Sequence, residues 1–262
     1  MRRIALAVLL ALLVTPPLAH ARTPAPDASR IDTIEARGLL RVGLTGDYQP
    51  FSIADPSAPG GMRGLDVDMA RSLAASLGVK LEIVRTTWGT LMPDLLAGKF
   101  DIAMGGITIT LQRARMALFS TPVMPSGKAA IALCGDAEKY QTLAEIDQPG
   151  VRVVTNQGGT NEIFDLAHLH NATIVRAKTN PDAFQALLDH KADMMITDGV
   201  ETLLQHRLHP LLCPIHPDQP FSHSELAYML PRDLVWQQYV DTWLRVETLS
   251  GTWAALLKTW LD

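Results

Sequence analysis

Leu187-Leu188-Asp189-His190-Lys191-Ala192-Asp193-Met194-Met195-Ile196-Thr197-Asp198-Gly199-Val200-Glu201 is the stretch whose reading decides the fold. Its leucines close a helix, a polar turn follows, and Met194-Met195-Ile196 reads as a short buried strand ended by the turn signal Asp198-Gly199. Earlier in the chain, Leu95-Leu96-Ala97-Gly98-Lys99-Phe100-Asp101 resembles Leu187 to Asp193 position by position. A helix–turn–strand unit written twice implies two lobes built on one plan. In open α/β sheets, ligands bind in the crevice beyond the carboxyl ends of the strands. Asp198 and Glu201 therefore stand where a ligand would be. A glutamate there suits delivery of a proton, although the helix dipole alone also favours an acid in a first turn.

The same alternation extends in both directions. Leu40 to Leu44 predicts a strand, followed by the loop Thr45-Gly46-Asp47-Tyr48-Gln49-Pro50-Phe51. Val67, Ala70, Leu73, Ala74 and Leu77 recur at helical spacing, with Gly78 at the expected C-cap. A strand through Leu81, Ile83 and Val84, a helix over Leu91 to Leu96 closed by Gly98, and a strand over Asp101 to Met104 complete the first half. The second half repeats the order: strand Val151 to Val154, loop Asn156 to Asn161, helix Ile163 to Leu169, strand Thr173 to Arg176, helix Asp182 to Leu188, strand Asp193 to Ile196. Such alternation predicts an α/β fold with parallel sheets covered on both faces. Val235 to Leu261 carries helical apolar stripes and is expected to pack back on the first lobe. The boundaries read as 31–127 plus 228–262 for lobe 1 and 128–227 for lobe 2, with a disordered lead-in over 22–30.

The N-terminus predicts export. Arg2 and Arg3 precede the apolar run Ile4 to Val14, and Ala19-His20-Ala21 offers a small-x-small cleavage site, so residues 1–21 read as a signal peptide too short to span a bilayer. Two arginines alone give a twin-arginine route little support. Losing them takes the formal charge from −4 to −6, a poor balance for binding nucleic acid or anionic membranes. Hydrophobic residues at 47% and charged residues at 19% are ordinary for a globular chain with a sizeable core. Cys134 and Cys213 are the two cysteines; in an oxidising compartment they read as one structural bridge, with two separate buried thiols as the alternative. Their places, just after the first crossing into the second lobe and just before the return, put both near its hinge side. His206 and His209 share a helix turn without a further ligand at metal spacing, and read as solvated or capping residues. No Ser-His-Asp elbow, Walker loop or paired-cysteine metal spacing is present, so hydrolase, nucleotide-dependent and metalloenzyme readings have no support.

Gly46-Asp47-Tyr48-Gln49-Pro50-Phe51, Gly105-Gly106-Ile107-Thr108-Ile109-Thr110-Leu111-Gln112-Arg113 and Phe119-Ser120-Thr121-Pro122 resemble the family 3 extracellular solute-binding proteins, the bilobal receptors of amino-acid ABC transporters. Within that family, Thr87-Trp88, Gly127-Lys128, Gly158-Gly159-Thr160-Asn161-Glu162 and Thr197-Asp198-Gly199-Val200-Glu201 look like the periplasmic cyclohexadienyl dehydratases. So do Ile146 to Val151 and Arg207-Leu208-His209-Pro210. The resemblance implies a type II periplasmic-binding-protein-like fold: two parallel-core sheets flanked by helices, with a hinge between the lobes. It implies an enzyme that turns prephenate into phenylpyruvate and arogenate into phenylalanine, without cofactor or metal. It makes Glu201 the general acid with Lys128 beside it. Asp47, Tyr48, Trp88, Gly106, Thr108, Arg113, Asn156, Thr160, Asn161 and Asp198 become the substrate pocket. Gly105 stands where these dehydratases usually carry serine, and Thr110 where they usually carry asparagine.

The residues themselves fit that chemistry. Prephenate becomes aromatic as it loses CO2 and its hydroxyl, so a protein need supply only positioning, carboxylate binding and a proton. Arg113 offers a planar fork for a carboxylate. The amides of Gly158 to Asn161 open a helix and suit an anion, unless the glycines merely make a tight turn. Lys128 follows the hinge-like Pro125-Ser126-Gly127 and is placed to reach a second carboxylate. Trp88, Tyr48 and Phe51 are candidates to wall the ring, Phe51 the most readily explained as core. Glu201 must be held protonated well above pH 4.3, which requires burial. Asp198 would push its pKa up and Lys128 down, and the balance stays open at this point. The rival reading is an amino-acid receptor on the same fold, for which Asp198 and Arg113 would serve equally; a sensor domain is a weaker third.

Overall fold

The structure of the protein, a computed structural model, describes residues 29–261. The expected signal peptide lies outside the described residues, as does the lead-in up to residue 28. Ser29 and Arg30 correct the expectation of disorder over 22–30. Ser29 N-caps the helix α1 (Arg30–Arg37) in a capping box with Asp32, so both residues belong to a defined helix start.

From α1 the chain enters β1 (Leu39–Leu44), then a small antiparallel sheet of β2 (Asp47–Tyr48), β3 (Ser52–Ala54) and β4 (Met62–Arg63). It continues through α2 (Leu65–Ser76), β5 (Lys80–Arg85), α3 (Leu91–Leu96), β6 (Ile102–Thr108), α4 (Leu111–Ala114), β7 (Leu118–Phe119) and β8 (Met124–Ser126). A second run holds β9 (Lys128–Leu133), α5 (Leu143–Ile146), β10 (Arg152–Asn156), α6 (Thr160–His168) and β11 (Thr173–Ala177). It ends with α7 (Asn180–Leu188), β12 (Met194–Asp198), α8 (Gly199–Leu208) and β13 (Leu212–Ile215). β14 (Ser224–Leu230) returns to the first sheet, and α9 (Leu234–Leu249) and α10 (Thr252–Leu261) close the described chain.

Two sheets, one per lobe, organise these elements, in the orders β5-β1-β6-β14-β7 and β11-β10-β12-β9-β13, with β8 alongside β14. Their cores are parallel: β1 with β5 and β6, and β10 with β11 and β12. The strands at the crossings, β9, β13 and β14, run antiparallel and make both sheets mixed. Each is joined to a neighbouring strand without a helix between, β8 to β9 and β13 to β14, so the strand–helix alternation did not reveal them.

The repeated stretch is a structural repeat as well. Gly98 (φ 67°) and His190 (φ 56°) both take the left-handed conformation that stops a helix. After each, an aspartate locks the next strand to its parallel neighbour in the sheet, β6 to β1 and β12 to β10. Asp101 Oδ2 accepts from the Arg41 amide at 2.8 Å, and Asp193 Oδ2 from the Arg152 amide at 2.7 Å. Both carboxylates also hold the guanidinium of the same arginine.

The C-terminal segment does pack on the first lobe: Trp236, Val240, Trp243, Leu244 and Trp253 share a core with Leu40, Val42, Leu44 and α2. It is two helices rather than one, interrupted where Gly251 turns at φ 79°. Cys134 and Cys213 form the expected disulfide, with Cα atoms 4.8 Å apart, tying the end of β9 to β13. His206, expected to be solvated or capping, instead bonds through Nδ1 to the Leu212 carbonyl, and His209 sits at the C-cap of α8. No helix among the described residues is long and apolar enough to cross a membrane.

Candidate active site

Register brings the first functional pair together. β12 and β9 run antiparallel with Asp198 opposite Lys128, so both side chains rise from adjacent strand ends. The Lys128 Nζ donates to Asp198 Oδ1 at 2.7 Å, to Asn161 Oδ1 at 2.5 Å and to Thr160 Oγ1 at 3.0 Å. A lysine this buried needs such company, because desolvating an unpaired ammonium costs several kcal/mol. Asp198 is the N-cap residue of α8, yet its carboxylate makes no capping bond. It accepts instead from Lys128 and, at Oδ2, from the Tyr48 hydroxyl at 2.7 Å.

Glu201 lies one turn into α8 and is 1% exposed. Its Oε2 accepts from Thr197 Oγ1 at 2.5 Å and its Oε1 from Asn180 Nδ2 at 3.1 Å. The Thr197 hydroxyl in turn accepts from Asn161 Nδ2 at 2.9 Å. A hydrogen-bonded chain therefore runs from Lys128 through Asn161 and Thr197 to Glu201. Burial raises the Glu201 pKa well above the ordinary glutamate range; the Thr197 bond and the Lys128 charge oppose this, while Asp198 and Asp47 add to it. The tug-of-war left open by the sequence ends in a raised pKa, with desolvation the largest cause.

Asp47 stands behind this group. Its carboxylate accepts from Trp88 Nε1 at 3.0 Å, and burial raises its pKa against the Thr45 hydroxyl, the Asn180 backbone amide and Trp88. Trp88 and Phe51 both pack edge-on against Tyr48, whose hydroxyl pKa is driven up by burial beside Asp198 and Glu201. Phe51 is fully buried and belongs to the core.

Glycines permit this close approach. A Cβ on Gly106, where φ is 69°, would lie 2.6 Å from the Phe51 ring and 2.7 Å from Tyr48. Gly105 also has a positive φ, 110°, so this chain's departure to glycine matches its backbone. The amides of Gly105 and Gly106 are held by Asp66 Oδ2, whose carboxyl, buried and also bonded to Tyr228, has its pKa raised to about 6. Gly158 meets the other lobe: a Cβ there would stand 2.7 Å from the Gly89 backbone. Its amide is occupied by Glu162 Oε2 at 2.7 Å, which corrects the expectation that the whole Gly158–Asn161 loop is free for an anion.

Tyr48, Trp88, Gly106, Asn156, Thr160, Asn161, Asp198 and Glu201 thus enclose one pocket, joined by Gly159, Asn180 and Thr197. Its volume is about 20 Å³, enough for one water and far too small for a ring-bearing substrate. Beyond Trp88 and Thr160 a cavity of about 540 Å³ opens, lined by Thr108, Arg113, Lys128, Met92, Met116, Ile163 and His168. Arg113 lies here rather than in the small pocket. Its Nη1 donates to the Thr108 carbonyl at 2.8 Å, and no described carboxylate pairs with it. Burial lowers its pKa to about 10, against the attraction of Asp198. Thr110 N-caps α4 by accepting from the Arg113 amide, which fixes where the arginine starts.

Sequence reasoning missed Asn180 and Thr197. Both follow the strand-end rule that located Asp198: Thr197 is the penultimate residue of β12, and Asn180 opens the helix after β11. Thr179-Asn180-Pro181-Asp182 was legible as a helix start, but nothing in it signalled a side chain aimed inward.

Comparison with known proteins agrees with this geometry. Residues 40–262 match the profile of the bacterial extracellular solute-binding proteins, family 3. A cyclohexadienyl dehydratase of Pseudomonas aeruginosa is 50% identical over 234 residues, covering 89% of this chain and 87% of that protein. The L-cystine-binding protein TcyJ of Escherichia coli is 27% identical over 177 residues, 68% of this chain and 65% of that one. Among solved structures, an ancestral amino acid-binding protein described as a precursor of cyclohexadienyl dehydratase has a TM-score of 0.82 at 34% identity, covering 89% of this chain and all of its own. An ancestral cyclohexadienyl dehydratase has a TM-score of 0.56 at 48% identity, covering 90% of this chain and 98% of its own. Fold, site and sequence converge, and the chain belongs to the bacterial extracellular solute-binding proteins, family 3.

Proposed function

We propose that this protein is a cyclohexadienyl dehydratase of the periplasm, acting on prephenate and arogenate. The carrying observation is Glu201: a fully buried carboxyl, its pKa raised, set between Asn180 and Thr197 beside the Lys128–Asp198 pair. A ligand receptor has no use for a proton donor at the floor of its pocket. A dehydratase requires one.

In the proposed reaction the bond between the ring and its carboxylate breaks and CO2 leaves. The released electron pair enters the ring and expels the hydroxyl at the opposite carbon. Glu201 gives that oxygen its proton, so water departs, and the carboxylate left behind is reprotonated from solvent when the lobes part. General acid catalysis of this kind is worth about 10² to 10⁴ in rate. Arg113 is assigned to the side-chain carboxylate in the larger cavity. Lys128, with Thr160 and Asn161, is assigned to the ring carboxylate; its charge is already shared with Asp198, so the carboxylate is oriented without being held too tightly to leave. Tyr48 and Trp88 are assigned to the ring faces, with Asp47, Gly106, Thr108 and Asn156 shaping the walls.

The small pocket requires the lobes to separate for substrate entry. Supporting this, the ancestral dehydratase superposes less well than the ancestral binding protein despite higher identity, the pattern that differing angles between similar lobes would give. The lobes are assigned with crossings at Gly127 and in the 216–223 loop. That moves the 228 boundary back, because β14 pairs with the first sheet from Ser224 onward.

The competing receptor reading draws on the amino acid-binding relatives. It needs a free anion for an α-ammonium group, and Asp198 is already engaged at both oxygens. Incubating the purified protein with prephenate and following phenylpyruvate decides between them. Saturable turnover is expected; tight binding of an ordinary amino acid without turnover would overturn the enzyme reading.

A further inference from the structure

Glu201 has a partner that neither the proposed chemistry nor the sequence motifs use. Asn180 is 3% exposed and stands at the first position of α7. Thr179 N-caps that helix by accepting from the Asp182 amide, and Pro181 stiffens its first turn, so the Asn180 backbone is fixed from both sides. From there the side chain reaches Glu201 Oε1 through Nδ2 at 3.1 Å. Its own Oδ1 is buried without any hydrogen-bond partner, and the residue lines the small pocket. A buried amide oxygen left unsatisfied costs about 1 to 3 kcal/mol, which calls for an explanation.

The explanation lies in the chemistry of the acid. A carboxylate accepts only, whereas a carboxylic acid must also donate. The Thr197 hydroxyl donates to Glu201 Oε2 while accepting from Asn161. Oε1 is therefore the edge where the acidic proton sits, and Asn180 is the neighbour facing it. A half-turn of the amide presents Oδ1 to that proton and places Nδ2 toward the pocket. Asn180 can then satisfy Glu201 before and after proton transfer, where a lysine or a carboxylate would favour one state alone.

We propose that Asn180 is the positioning residue of the general acid, its amide holding Glu201 Oε1 in both protonation states by exchanging Nδ2 for Oδ1. This rests on the dehydratase reading for its role in turnover, but the hydrogen-bond exchange itself does not. The charged and titratable groups around Glu201 are Asp198 at the start of α8, Lys128 on β9, and Asp47 and Tyr48 on β2. Asn180 is the uncharged member of this ring, and its backbone amide faces Asp47 from the opposite lobe. Lobe contact and placement of the acid thereby meet in one residue.

The test compares Asn180→Leu, which keeps the volume, with Asn180→Ser, which keeps a group that both donates and accepts. The carboxyl stretch of protonated Glu201, identified by its loss in Glu201→Gln, is followed by infrared spectroscopy against pH. In Asn180→Leu the band should shift to that of a less hydrogen-bonded acid and its titration should move up by about one pH unit. The charged form loses the stronger bond, and one unit corresponds to about 1.4 kcal/mol. Asn180→Ser should recover part of both changes. With prephenate, Asn180→Leu should lower kcat roughly 10- to 100-fold with KM within about threefold and move the alkaline limb in step. An unchanged infrared band and titration in Asn180→Leu would overturn the proposal. So would a fall in kcat with an unmoved pH limb and no recovery in Asn180→Ser. If Asn180→Leu does not fold, Asn180→Ser and Asn180→Ala carry the same infrared comparison. Failure of the parent protein to turn over prephenate would count against the dehydratase reading alone, since the infrared titration needs no substrate.

Discussion

Replacing Glu201 by glutamine separates its chemical role from its structural one. The side chains are nearly isosteric, so the amide keeps the space between Asn180 and Thr197. With its oxygen toward the Thr197 hydroxyl and its nitrogen toward Asn180, the new amide meets Asn180 Oδ1, the atom that lacks a partner, once the Asn180 amide makes a half-turn. Folding should therefore be preserved. What is lost is an acidic proton, and kcat with prephenate should fall by about 10² or more while KM changes little. Stability supplies a second, independent reading. The Glu201 pKa is raised by burial, so the folded state holds a proton that the unfolded chain has released. Parental stability must then decline as pH rises above about 4.3 toward the folded-state pKa, whereas the glutamine variant does not share that decline. The variant should match the parent near pH 4 and exceed it increasingly toward neutral and alkaline pH. Steady-state kinetics at saturating prephenate and thermal melts across pH 4 to 9 measure both. A near-parental kcat would remove Glu201 from the mechanism, and a stability gap independent of pH would contradict its buried, protonated state.

Arg113→Ala should weaken binding of a carboxylate substrate by about 1.5 to 3 kcal/mol, or more if the carboxylate finds no other partner; unchanged affinity by calorimetry would refute its assignment. Replacing both Cys134 and Cys213 by serine opens a loop of 79 residues and should cost roughly 4 kcal/mol on the chain-entropy account, read by denaturant unfolding, with kcat little affected because the bridge lies away from the pocket. Asp165, buried on α6 with no charged partner in contact, has its pKa raised by desolvation to about 7, against the neighbouring Thr155 hydroxyl and the Lys128 charge. Its folded form keeps a proton that the unfolded chain loses above about pH 4, so it should drain on the order of 4 kcal/mol of stability as pH rises from 4 to 7. Asp165→Asn should flatten that part of the pH–stability curve, and an unaltered curve would show the carboxyl to be paired after all.

What the sequence could and could not disclose follows from the range of each interaction. The repeat at Leu95 to Asp101 and Leu187 to Asp193 was legible because a helix stop and a strand start are local events. The exposed His190 carries the left-handed backbone that Gly98 carries in the other copy, and spacing alone showed the correspondence. Asp198 and Glu201 were legible as strand-end residues by the same local logic, and Lys128 only through resemblance. The partners that define their chemistry were not. Lys128 meets Asp198 through an antiparallel register across 70 residues, and Asn180 meets Glu201 across 21. Neither register is encoded near the residues concerned. β9, the strand that carries Lys128, enters directly from β8 and so lacks the alternation with helices that revealed the parallel core. Glu162 shows the opposite failure. Its spacing from Gly158 is local, yet reading the glycine loop as an open anion site overlooked that a first-turn glutamate can claim the loop's amide for itself. The anion-binding capacity of a helix start is thus set by the side chains within it as much as by its glycines, and under the proposed function the substrate's two carboxylates fall to Arg113 and Lys128, which line the larger cavity.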